Sequence, residues 1–150
     1  MNKHDFMSMM HHIVDESHAA VLASTDKNGH PHVRWVVPGF LSNRERALYT
    51  VSVATYPKVD QLLNNPNAEM MLQTPGLTKI INLRGVVNIL DNPTIRSEVL
   101  ECLGERLHAF WRTTKPEGDL VVLEFVLSEA TYYVPMNNSR ITIFLDGGGE

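Results

Sequence analysis

The dipeptide Asn28-Gly29 constrains this chain more than any other feature. It separates two short runs, 19–25 and 31–38, that are rich in apolar, β-branched and aromatic residues. Asparagine and glycine both tolerate positive φ, so the two runs pair as an antiparallel hairpin. Pro38-Gly39 interrupts the second run, and the polar turn Ser42-Asn43-Arg44-Glu45 leads to a third strand over 46–53. Two more strands, 68–73 and 78–90, flank the turn Thr74-Pro75-Gly76. Gly85 lies inside the longer one, where glycine marks a bulge or a close backbone approach. A last long strand covers 120–134, broken at Ser128-Glu129, and 141–145 forms an edge strand.

Three helices are set between these strands. Phe6, Met9, Met10, Ile13 and Val14 recur at helical spacing over 3–17, which ends near Ser17-His18. Pro57 opens a helix over 57–65, because a first-turn proline loses no hydrogen bond. Val59, Leu62 and Leu63 form its stripe, and Asn64-Asn65-Pro66-Asn67 stops it. Asp91-Asn92-Pro93 opens a third helix over 93–110, with Ile95, Val99, Leu100, Leu103 and Leu107 as its stripe, reaching Phe110-Trp111. Hairpins with helices between them predict an α+β, mainly β fold: a barrel of six to seven mostly antiparallel strands, not a doubly wound sheet. One domain over 1–145 and a flexible glycine-rich tail over 146–150 are expected.

Composition excludes several functions. With 43% hydrophobic and 20% charged residues and a mean hydropathy of −0.13, the 150-residue chain reads as globular and soluble. A net charge of −4 argues against nucleic-acid binding, which depends on neutralising phosphates. No run of about 18 apolar residues is present to cross a membrane. The polar start, Met1 to Asp5, lacks the apolar core of a secretion signal, and the expected location is the cytoplasm. Cys102 is alone, which excludes an internal disulfide, and on a helix face it reads as buried packing. His4, His11, His12, His18, His30 and His32 are completed by no carboxylate or thiol into a metal signature, so no metal is expected. No Gly-x-Ser-x-Gly, phosphate-binding loop or Gly-x-Gly-x-x-Gly motif occurs.

Three ordered segments carry a likeness. Gly29-His30-Pro31-His32-Val33-Arg34-Trp35-Val36-Val37 is similar to a "G-x-P-x-x-R-x-V" strand, and Leu48-Tyr49-Thr50 to a strand ending in an aromatic residue and threonine. The segment from Tyr56-Pro57-Lys58 to Asn65-Pro66-Asn67-Ala68 is similar to "S-x-K-x-x-x-L-x-x-N-P-x-V". Downstream, Leu83-Arg84-Gly85-Val86-Val87 and the strand from Phe125 to Tyr133 continue the pattern. Over roughly 5–135 the chain resembles the FMN-binding split β-barrels related to pyridoxamine 5'-phosphate oxidase.

That resemblance implies FMN as cofactor, held by Arg34, Trp35, Val36, Val37, Tyr49, Thr50, Thr55, Tyr56, Pro57 and Lys58. It also implies a homodimer with the flavin between subunits, and Trp111 of the partner chain is the candidate to cover the ring. The chemistry of the residues agrees with the resemblance. A phosphate monoester wants cations and several donors, which Lys58 at a helix start, Thr50 and Arg34 supply. The strand Trp35-Val36-Val37-Pro38 offers backbone groups and apolar walls to a flavin ring. Where the family has serine, Thr55-Tyr56-Pro57 leaves Thr55 or the Tyr56 hydroxyl as donors.

True oxidases carry a lysine a few residues after the strand arginine, but here the chain reads Val37-Pro38-Gly39-Phe40. Their arginine- and tryptophan-rich C-terminal segment is also missing, so the sequence is closer to the general-stress-protein branch. The expected activity is a flavin-dependent oxidoreductase acting on an unidentified small molecule, with no catalytic acid or base assignable. The alternatives are a non-catalytic flavin carrier or redox sensor, and a split barrel that binds haem or F420 instead.

Overall fold

The computed structural model describes residues 2–42, 44–107 and 119–145. Trp111, the last three residues of the expected helix over 93–110 and the tail over 146–150 lie outside them. The elements run α1 (Lys3–Ser17), β1 (Ala20–Thr25), β2 (Pro31–Val36), β3 (Gly39–Leu41), β4 (Arg44–Val53), α2 (Pro57–Asn64) and β5 (Asn67–Gln73). After these come β6 (Ile80–Leu90), α3 (Pro93–Leu103), β7 (Leu120–Val134) and β8 (Ser139–Phe144). The strands form one sheet in the order β2-β1-β5-β6-β7-β4-β3, with β8 added to β7. Every pairing is antiparallel. Among the described residues no ladder joins β2 to β3, so the barrel stays split between them.

Among the described residues eight strands stand where six to seven were expected. Pro38 breaks the second run and leaves Gly39–Leu41 as a strand of its own, and the edge strand at the C-terminal end forms over Ser139–Phe144. Arg44 and Glu45, read as turn residues, belong to β4, where Arg44 pairs with Leu41.

The hairpin turn is made by one positive φ, not two. Gly29 takes φ 83°, and Asn28 stays at negative φ. The Gly29 amide donates to Asp26 O at 3.0 Å and the Asp26 amide to His30 O at 2.9 Å, a turn followed by a left-handed glycine. Asp26 secures the turn from outside by accepting from the Asn28 and His30 amides at 2.9 and 3.0 Å, and from His32 Nε2 at 2.8 Å. Those contacts, the His32 bond foremost, hold its carboxyl down at about 2.

Two cores follow from the helical stripes. Phe6, Met10, Ile13 and Val14 of α1 and Val59 and Leu62 of α2 join Leu22, Leu48, Leu83 and Phe125 inside the barrel. Each such side chain contributes about 1.5–3 kcal/mol on full burial. Leu63, expected in the α2 stripe, is instead 66% exposed, because an eight-residue helix turns only one narrow arc inward. The second core lies under α3, where Val99 and Leu103 pack on Tyr49, Val51 and Val122. Asn2 and Asn92 cap α1 and α3 by accepting from the amides of Asp5 and Ile95.

The longest pairing, β6 with β7, organises the sheet. On its far side β7 pairs first with β4, over Leu120 to Val126, and then with β8, over Glu129 to Val134. The changeover falls at Ser128, where the β6–β7 register slips: Arg84 faces Glu129 but Gly85 faces Leu127. The break expected at Ser128-Glu129 is thus a bulge within a continuous strand. Ser128 Oγ donates to Arg84 O at 3.0 Å, and Ser128 O accepts the Leu145 amide at 2.8 Å. Gly85 provides the close approach: a Cβ there would lie 2.0 Å from Val126 O. Because the obstruction is backbone, Gly85→Ala should destabilise the fold by about 3 kcal/mol. Urea unfolding of the two proteins measures this, and a difference below about 1 kcal/mol would show that the sheet relaxes around the methyl group.

Candidate functional site

Two basic side chains lie beside the first hairpin. Arg34 stands on β2 opposite Leu22 of β1, and Lys58 is the second residue of α2. Alternation along β2 turns Arg34 inward, half-buried, while Val33 and Trp35 point outward at 68% and 58% exposure. Arg34 Nη1 donates to Leu22 O at 3.0 Å, and Nη2 donates to Gln61 Oε1 at 3.0 Å. Ser24, buried on β1, donates to the same Gln61 oxygen at 2.7 Å. Among the described residues the guanidinium is therefore clamped through neutral acceptors.

Lys58 lies close enough to feel this charge. Burial first, and then the positive charge of Arg34, push its ammonium below the ordinary lysine value. Burial also lowers Arg34, which stays protonated all the same. The Lys58 ammonium lies 5.1 Å from the centre of the Tyr56 ring, a cation–π contact. Among the described residues neither cation forms an ion pair with a carboxylate. Two like charges, partly withdrawn from water and uncompensated, are costly unless an anion joins them. Tyr56 precedes α2 without a side-chain cap, and its backbone carbonyl accepts the Val59 amide at 3.0 Å.

The structure separates the remaining candidates. Thr55, Tyr56 and Pro57 are exposed beside Lys58 in the approach to α2. Thr50 is 4% exposed, and among the described residues its hydroxyl bonds neither cation. The ring of Tyr49 lies in the core under α3, and its hydroxyl donates to Glu124 Oε2 at 2.7 Å. Burial raises its pKa. Val36 enters the barrel core and Val37 the core under α3, because the chain turns at Pro38. Strand β2 ends the hydrogen-bonded path, so among the described residues no strand pairs with its outer edge. Cys102, read as buried packing, is exposed, with its thiol turned toward Phe40 O at 3.1 Å. No group of three or more His, Cys, Asp or Glu among the described residues is placed to hold a metal ion.

Gln61 and Ser24 escaped the sequence reading. Each is an ordinary polar residue, and they lie 37 positions apart. The one available signal was Ser24 at an inward position of a half-apolar strand.

A family model described as pyridoxamine 5'-phosphate oxidase matches residues 8–133. The chain belongs to this family. Among solved structures it is similar to a protein related to general stress protein 26, of the pyridoxinephosphate oxidase family, from Clostridium acetobutylicum. That match has a TM-score of 0.73 at 16% identity and covers 97% of this chain and 98% of the other. A pyridoxamine 5'-phosphate oxidase-related, FMN-binding protein from Nostoc punctiforme matches with a TM-score of 0.64 at 13% identity, covering 95% of each chain. A heme binding protein from Mycobacterium smegmatis matches with a TM-score of 0.68 at 16% identity, over 88% of this chain and 55% of its own. At these identities the likeness carries the fold. No curated protein matches the chain in sequence. No helix among the described residues is long and apolar enough to cross a membrane.

Proposed function

We propose that this family member binds FMN, with the phosphate on Arg34 and Lys58, and serves as a flavin oxidoreductase for a small molecule. The observation that carries this reading is that, among the described residues, neither of these two cations forms an ion pair with a carboxylate. A dianionic phosphate supplies the missing charge, and Arg34 can present its remaining N–H groups as a fork. Flavin, once bound, supplies hydride and electron transfer. The chain's part is to hold the phosphate, orient the ring along the unpaired backbone edge of β2 and exclude water. The FMN-binding neighbour from Nostoc punctiforme supports this reading. Haem in place of flavin is the second reading, favoured by the Mycobacterium smegmatis neighbour. The visible spectrum of the purified protein distinguishes a flavin from a haem directly.

We further propose a homodimer formed through the outer face of β2, β1 and β5. Trp35, Val21 and Met71 stand in one row across those strands, with Trp35 58% and Met71 39% exposed. An apolar row of this kind on a sheet face favours association. Sedimentation at micromolar concentration should give a dimer, and a monomer would contradict the proposal.

Lys58→Ala tests the phosphate contact. One charge-assisted hydrogen bond is worth about 1.5–3 kcal/mol, so FMN should bind roughly ten- to a hundredfold more weakly. Riboflavin, which has no phosphate, should bind both proteins alike. Flavin-fluorescence titration with the two ligands measures this, and equal losses for both would show that Lys58 does not read the phosphate.

A further inference from the structure

We infer that Gln61, held in place by Ser24, is a positioning residue that orients Arg34 while leaving the anion site with both of its positive charges. The inference rests on the FMN-phosphate reading above and concerns how that site is built. An arginine buried beside a lysine would ordinarily be steadied by a carboxylate, which would cancel the charge an incoming anion needs. Here the oxygen facing Arg34 belongs to an amide. The same oxygen accepts from Ser24 Oγ at 2.7 Å, so the amide is fixed by β1 as well as by its own helix. With Leu22 O taking the other terminal nitrogen, the guanidinium plane is set by two neutral oxygens 39 positions apart in the chain. Orientation and charge neutralisation are thereby separated: the fork is preorganised and stays cationic. Burial first, and then the Arg34 charge, lower the Lys58 ammonium, in keeping with this arrangement.

Glutamate at position 61 would keep the shape and the hydrogen bonds to Arg34 while adding the cancelling charge. Gln61→Glu should therefore leave the protein as stable as before or more so. It should weaken FMN binding roughly ten- to a hundredfold and riboflavin binding by no more than about twofold. In the flavin-free protein it should also raise the Lys58 titration midpoint, followed by NMR of the lysine side chain. Gln61→Met removes the acceptor without adding charge. It should weaken FMN several-fold, more than riboflavin, and leave the Lys58 midpoint close to that of the wild type. FMN affinity unchanged in Gln61→Glu, or an unmoved Lys58 midpoint, would overturn the inference. Absence of FMN binding by the wild type would instead overturn the flavin reading. The Lys58 titration, which needs no ligand, would then still decide whether residue 61 governs the charge of this site.

Discussion

The contact between Gly85 and the backbone at Val126 sets the form of this protein. Two strands approach there more closely than any side chain would permit, and the register slips by one residue at Ser128. Because β7 bends at that bulge, its first half pairs with β4 and its second half with β8. Both faces of β4 are consequently covered, one by the barrel interior and the other by α3. The other edge of β6 pairs with β5, and β5 carries β1 and then β2. The hairpin that bears Arg34 is thus placed by a chain of ladders that starts at one glycine.

The site is built where this sheet meets a helix. Pro66 O accepts the Val87 amide at 2.9 Å, which ties the residues after α2 to β6. Val59 and Leu62 seat α2 in the barrel core, and that seating brings Lys58 and Gln61 to Arg34. The energetic logic is local. Burial makes the charges expensive, neutral acceptors hold them without cancelling them, and the proposed anion would relieve the cost.

Much of this was legible in the chain itself. The apolar spacing in α1 and the punctuation at Pro57 and Pro93 report local preferences that the fold keeps, and Asn28-Gly29 marks the turn although only Gly29 takes positive φ. Gly85 was legible for a related reason, since a glycine inside a strand is costly unless something needs the space. Faces were harder to read. Seven successive residues of β4 are buried, so its sequence carries no alternation to show that Tyr49 turns toward α3. Gln61 was hidden because its role depends on two strands that reach it only in the folded chain. Leu63 misled because an apolar residue beside a helical stripe reads as part of it.

The most direct test of the central claim is phosphorus NMR of FMN bound to the protein as the pH is lowered from about 8 to about 5. The dianion of a free phosphate monoester takes up a proton near pH 6. Two cations at the phosphate favour its dianion, so the bound phosphorus resonance should keep its dianion position well below the pH at which free FMN titrates. A bound resonance that titrates together with free FMN would mean that the phosphate lies away from Arg34 and Lys58, and the account of this site would be wrong.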